Sequence, residues 1–197
     1  MEEKEFDALI EAEMKRGLSF IAALYQALDQ AVAQEIQGSG FQLACHKGCA
    51  SCCYQLVNCT GIEARLIAEF VRGLPLAERQ LLAKEAWPKI LAWRQYHQKN
   101  QAAATTPERV LQIHQDWQNK PCPFLNAKQG TCWIYPVRPI DCRTLLSEAC
   151  CASGQKNVAK RFPFACQLWA NNLILEVQGA VTPLMHWLSE FFRIKLI

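Results

Sequence analysis

Cys45-His46-Lys47-Gly48-Cys49-Ala50-Ser51-Cys52-Cys53 packs four thiols into nine residues with the spacing C-x3-C-x2-C-C. A turn or short helical bend makes such spacings converge, so that three or four sulfurs point at one centre. Thiolates are soft ligands and favour zinc, iron–sulfur clusters or cuprous ion over magnesium or calcium. Gly48 permits an unusual backbone angle inside the loop. The competing reading is a group of buried, inert cysteines, since Cys is among the most buried residue types. Four in nine residues weigh against it and point to metal or cluster binding.

Downstream, Cys122, Cys132, Cys142 and Cys150 supply four more thiols. Pro121-Cys122-Pro123-Phe124-Leu125 reads as extended, Asn126 to Gly130 as turn chemistry, and Thr131-Cys132-Trp133-Ile134-Tyr135 as strand. A small hairpin bringing Cys122 close to Cys132 is predicted. Eight thiols suit two tetrahedral centres or one bridged binuclear site. Side chains of adjacent residues such as Cys52 and Cys53 tend to diverge, which favours more than one metal, or a pair split between a metal and something else. Cys59, Cys151 and Cys166 read as core or spare thiols. Two four-thiolate sites would concentrate about four negative charges. Lys47, Arg138 and Arg143 stand beside the cysteines and are either the donors that offset this charge or ordinary surface cations. His46 is a ligand or a neighbouring donor, with the thiols preferred as ligands.

Outside this region the chain reads as helix. Residues 2–37 carry apolar positions at i, i+3, i+4 spacing: Phe6, Leu9, Ile10 and Met14, then Ile21, Leu24, Leu28, Val32 and Ile36. Gly17 divides them into two helices and Gly38-Ser39-Gly40 ends the second. Thr60-Gly61-Ile62-Glu63 is a capping box opening a helix that turns Ile62, Leu66, Ile67 and Phe70 inward and stops at Gly73. A run from about Pro75 to Ala104 contains Pro88, a kink position. Thr106 before Pro107 starts a helix with Val110, Ile113, His114 and Trp117 on one face. Helices are also expected over about Phe164 to Gln178 and Pro183 to Lys195, the last with Leu184, Trp187, Leu188 and Phe191 on one face. The fold class expected is mainly α, a single helical domain with a small β-hairpin around a cysteine-rich metal site. Its parts are an N-terminal helical segment over 1–40, a cysteine-cluster core with inserted helices over 41–155, and C-terminal helices over 156–197.

Composition excludes several classes. The 197 residues are 51% hydrophobic and 20% charged, as expected for one domain with a real core. A net charge of +3, with no Lys/Arg-rich face, argues against nucleic acid as a partner. The acidic start and the lack of an 18–20-residue apolar run argue against a secretory signal and a membrane span. A soluble cytoplasmic protein is therefore expected, where thiols stay reduced and clustered thiols bind metal; the 11 Cys also make an odd number, a poor fit to full disulfide pairing. No G-x-x-x-x-G-K or H-E-x-x-H motif is present, and His97, His114 and His186 are scattered.

Cys45-x3-Cys49-x2-Cys52-Cys53, then Cys122-Pro123-Phe124-Leu125, then Cys132-x-Ile134-Tyr135-x-x-Arg138-Pro139-x-x-Cys142-Arg143, resembles the YkgJ-type cysteine-cluster family. That family is described as a zinc- or iron-chelating domain. The resemblance covers about residues 45–151 and implies a ligand set of Cys45, Cys49, Cys52, Cys53, Cys122, Cys132, Cys142 and either Cys150 or Cys151. It implies zinc or iron, a four-iron four-sulfur cluster included, and no particular reaction, although some related proteins are associated with flagellin lysine methylation. The expected function is metal handling or a cluster-bearing accessory role, with a metal ion or cluster as partner. Two alternatives stand beside it. The first is an iron–sulfur protein of redox or radical type, with simple electron transfer by a four-iron cluster preferred to radical chemistry. Cys45-x3-Cys49-x2-Cys52 has the spacing of radical S-adenosylmethionine enzymes, but Ser51 stands where those carry an aromatic residue, and no alternating strand–helix units appear. A zinc-stabilised protein-interaction module is the other, with the six Trp as interface candidates. In every version, metal binding is expected to supply folding energy to residues 45–60 and 120–151.

Overall fold

The computed structural model describes residues 1–46, 48–100, 106–148, 160–161, 164–178 and 181–191. Its helices are α1 (Glu3–Lys15), α2 (Phe20–Ser39), α3 (Gly61–Gly73), α4 (Leu76–Asn100), α5 (Pro107–Asp116), the single turn α6 (Ile140–Arg143), α7 (Ala165–Gln178) and α8 (Leu184–Phe191). Short antiparallel pairs join them: β1 (Asn58–Thr60) with β6 (Val181–Pro183), β2 (Leu125–Asn126) with β3 (Thr131–Cys132), and β4 (Leu145–Leu146) with β5 (Lys160–Arg161). The chain is mainly α with a small hairpin, as its periodicity predicts.

The local chemistry explains the boundaries. Gly17, at φ +95°, separates α1 from α2. At the start of α3, Thr60 and Glu63 exchange the reciprocal bonds of a capping box. Thr106 accepts from the Arg109 N–H and starts α5, with Pro107 in its first turn. α4 runs unbroken through Pro88, so that position does not end the helix.

Two apolar cores result. The first joins α1, α2 and α7 through Phe6, Leu24, Leu28, Ala170 and Ile174, and Ile140 of α6 closes it. The second joins α3, α4 and α8 to the β2–β3 hairpin through Ile67, Ile90, Trp93, Phe124, Ile134 and Leu188. Thus α7 and α8, neighbours in sequence, serve different cores. α3 lies between them. Ala64, Ile67 and Val71 form its buried stripe, while Ile62 and Leu66 pack half-buried against the first core. Of the expected inward set, Ile67 is fully buried, while Ile62 and Leu66 face the first core and Phe70 the second, each half-buried. In α5, Trp117 is buried but Val110 is exposed, because only the C-terminal end of that short helix meets the second core. Met14 is likewise exposed at the end of α1. The Phe191 side chain, Lys195 and the expected continuation of α4 to Ala104 lie outside the described residues. Among the described residues, no helix is long and apolar enough to cross a membrane.

Candidate metal centre

The cysteine run leaves α2 as an irregular segment and ends in a 3-10 turn, Ser51–Tyr54. Two remote parts of the chain fasten its ends, and a local turn closes its middle. At its start the Ala44 N–H donates to the Ser147 carbonyl at 2.9 Å, and the Ser147 N–H donates to the Cys45 sulfur at 3.4 Å. In its middle the Cys49 N–H donates to the His46 carbonyl at 3.0 Å, closing a turn in which Gly48 takes φ +91°. At its end the Cys122 N–H donates to the Cys53 carbonyl at 2.7 Å. This last bond joins the two halves of the thiol set across nearly 70 residues of sequence.

The β2–β3 hairpin delivers the next two thiols. Leu125 pairs with Cys132 and Asn126 with Thr131, and the Trp133 N–H donates to the Phe124 carbonyl at 2.9 Å. Asn126 builds the turn: its side-chain oxygen accepts from the N–H groups of Lys128 and Gln129, each at 3.2 Å. Phe124, fully buried in the second core, anchors the hairpin. Helix α4 supports it from below. Lys89 Nζ donates to the carbonyls of Cys122 and Leu125 at 3.0 and 3.1 Å, and Glu85 accepts from the Trp133 indole at 3.2 Å. Burial lowers the pKa of Lys89, against the pull of Cys122 and Glu85.

Cys142 arrives on α6, which is bolted down on every side. The Ile140 N–H donates to Glu63 Oε1 at 2.9 Å, and the Asn58 N–H donates to Asp141 at 3.1 Å. Arg143 donates from Nε to the Arg138 carbonyl at 2.9 Å and from Nη2 to the Pro136 carbonyl at 2.7 Å. It also pairs with Asp29 and lies 4.1 Å from the centre of the Tyr25 ring. The alternative left open by the sequence is resolved here: Arg143 is a buried strut committed to carbonyls and to α2, not an offset for thiolate charge.

Electrostatics show which sulfurs share one environment. The neighbouring Cys52 and Cys53 thiols interact as a pair, and this interaction, with help from the Arg138 guanidinium, holds Cys52 down to about 7 against the opposing effect of burial. Cys53 is pushed upward chiefly by the same interaction and by burial, then by the charges of Cys52, Cys122 and Cys132. Burial, then Cys132, pushes Cys122 up to about 12. Cys132 is raised by burial, with Arg138 working against the rise. Cys142 is raised well above the usual thiol range by burial first, then by Cys122, Cys132 and Cys52. Five thiols, Cys52, Cys53, Cys122, Cys132 and Cys142, are thus linked electrostatically, with Arg138 acting on Cys52 and Cys132 and Lys89 on Cys122. The Arg138 guanidinium lies 4.3 Å from the Tyr135 ring centre, and its Nε is buried without a hydrogen-bond partner.

Of the remaining cysteines, Cys59 and Cys166 take core positions, whereas Cys45 and Cys49, expected as ligands, are not among the five. Cys59 and Cys166 are buried in the second and first cores respectively. Cys45 and Cys49 are half-buried on the same run as Cys52 and Cys53. Cys150, Cys151 and Lys47 lie outside the described residues. No disulfide joins the described cysteines. Among the described residues, no three His, Cys, Asp or Glu side chains stand where they could hold a metal ion as they are. The donor set therefore fits a soft metal in its chemistry, while the sulfurs are not closed into a ligand shell. Lys89, Glu85, Ser147 and Gly130 were not legible as site residues. Glu85 and Lys89 stand four residues apart on α4, the spacing of any surface pair, and Ser147 acts through its backbone. No family model, no curated protein and no solved structure matches the chain.

Proposed function

We propose that the chain binds a thiophilic metal, zinc or iron, through thiolates drawn from Cys52, Cys53, Cys122, Cys132 and Cys142. Cys45 and Cys49, on the same run, are the further donors, and the sequence places Cys150 or Cys151 with them. The observation that carries this reading is that five thiols from three remote segments share one shielded place, with a cation, Arg138, acting on Cys52 and Cys132. Nothing in ordinary core packing calls for that. Thiol donors without oxygen ligands suit zinc or iron–sulfur chemistry. Because the sulfurs are not preassembled, binding must draw them together and release their protons, so metal affinity becomes folding energy for the run and the hairpin. The same residues carry the resemblance to the YkgJ-type family, and a metal-handling or cluster-bearing accessory role in a reducing cytoplasm is the function proposed. The described strands form only two-stranded antiparallel pairs, which gives no support to a radical-enzyme barrel.

The test is anaerobic purification followed by elemental analysis, a visible spectrum and thiol titration of one sample. Stoichiometric zinc or iron is expected, with content reduced at least by half in Cys132→Ser and Cys53→Ser. A metal-free wild-type protein with all 11 thiols titratable overturns the proposal.

A further inference from the structure

We propose that Gly130 is a positioning residue: the tip of the hairpin holds the Gly48 turn of the cysteine run and so fixes where Cys49 stands relative to Cys132. Its functional meaning rests on the metal-binding reading; its placement rests on geometry alone. Gly130 sits at φ +64°, and a Cβ built on it would lie 2.8 Å from the Gly48 carbonyl oxygen and 3.6 Å from the Gly48 Cα. Side-chain carbons do not approach that closely. The obstructing atom is backbone, so no rotamer change relieves the contact.

Each side of the contact belongs to a turn of its own. The Gly130 N–H donates to the Asn126 carbonyl at 2.9 Å, fixing the glycine within the hairpin turn. On the other side, Gly48 belongs to the turn closed by the Cys49 N–H and the His46 carbonyl. A substituent at 130 therefore moves the turn that carries Cys49. The run's other fastenings, at Ser147 and at Cys122, lie at its two ends, so Gly130 supplies the restraint in the middle. Metal–sulfur distances are fixed near 2.3 Å. A shift of a few tenths of an ångström in one donor is thus felt directly by the site.

Gly40 provides an internal control. It has φ +70° but nothing within 4 Å of its would-be Cβ. Gly40→Ala therefore carries the left-handed backbone cost without the contact, whereas Gly130→Ala carries both. Two readouts are made on full-length chains: zinc affinity by competition with a chelator, and the rate of maleimide capture at Cys49 in the metal-free protein, resolved by mass spectrometry. Gly130→Ala is expected to lose about 10–100-fold in zinc affinity, the size of other supporting-residue effects. It is also expected to change the Cys49 rate several-fold, while Gly40→Ala matches wild type in both. If Gly130→Ala does not fold, Gly130→Asn brings the same Cβ on a residue that tolerates the left-handed region, with the same outcome expected. Equal behaviour of the 130 and 40 variants overturns the proposal. A wild-type protein that takes up no zinc bears on the functional reading instead, and the Cys49 rates then decide the placement of Gly130 by themselves.

Discussion

Arg143→Met offers a sharp check on how the Cys142 segment is held. The guanidinium makes three hydrogen bonds, one to Asp29 and two to the carbonyls of Arg138 and Pro136, and stacks on Tyr25. The two ends of its ion pair differ. The Arg143 side chain is 4% exposed, whereas that of Asp29 is 53% exposed. Losing the arginine removes its bonds to the Arg138 and Pro136 carbonyls, at about 1.5–3 kcal/mol for each charge-assisted bond. Relief of the desolvated cation offsets part of this, leaving about 3–5 kcal/mol for the two bonds together. Losing the aspartate charge leaves the buried guanidinium held by both carbonyls, the Tyr25 ring and the Asn amide oxygen, so the cost stays near that of a solvent-facing pair, about 0.2–1 kcal/mol.

The expected result is therefore asymmetric. In guanidinium chloride unfolding of the metal-free protein at pH 7, Arg143→Met should lower stability by about 3–5 kcal/mol and Asp29→Asn by less than about 1 kcal/mol, with unchanged m-values. At roughly 2–4 °C per kcal/mol for a chain of this size, the corresponding melting shifts are about 6–20 °C and below about 4 °C. If Asp29→Asn costs as much as Arg143→Met, the ion pair carries the energy and the assignment to the carbonyls is wrong.

In the metal-free protein, iodoacetamide is expected to capture Cys52 with a half-point at pH about 7 rather than at the ordinary thiol value of 9.0, because its pairing with Cys53 and the Arg138 charge favour its thiolate. The folded value lies below the unfolded one, so the stability Cys52 contributes is present above pH 9 and lost as pH falls to about 7. Cys122 runs oppositely: with its folded value raised to about 12, stability declines as pH rises above 9. A melting-temperature profile that rises toward pH 9 and then falls checks both, and Cys52→Ser should flatten the rising limb; a rise unchanged in that variant refutes the assignment. Thr60→Ala, which removes the α3 cap and the hydroxyl bond to Glu63, is expected to cost about 0.5–2 kcal/mol by the same denaturation assay; no measurable loss would show the cap to be idle.

Much of the fold was legible because it rests on local patterns. The i, i+3, i+4 spacing of α1 and α2, the Thr60–Glu63 box and the Asn126–Gly130 turn each state their structure within a few residues. The hairpin also predicted the approach of Cys122 and Cys132. What stayed hidden depends on distant partners. Asn58–Thr60 shows no alternation, and its strand exists because Val181–Pro183 comes to lie beside it. The roles of Arg138 and Arg143 could not be separated by adjacency to cysteines. Only the fold shows that one acts on the thiols while the other is occupied by carbonyls. Lys89 belongs to a helix whose apolar residues are not gathered on one side, so its inward reach to the Cys122 turn carried no sequence signal.

The pairing of β1 with β6 also has a meaning in time. Thr60 waits for Val181, roughly 120 residues further along. At typical elongation rates of 5–20 residues per second, that is about 6–24 s of synthesis. Cys45 to Cys53 is made before any of its fastenings: Cys122, then Gly130, then Ser147, with the strand that closes the second core last of all. Throughout that interval the nascent chain carries four naked thiols in a row. Whatever protects them from oxidation during translation has to come from the surrounding cell, since the polypeptide has not yet built its own cover.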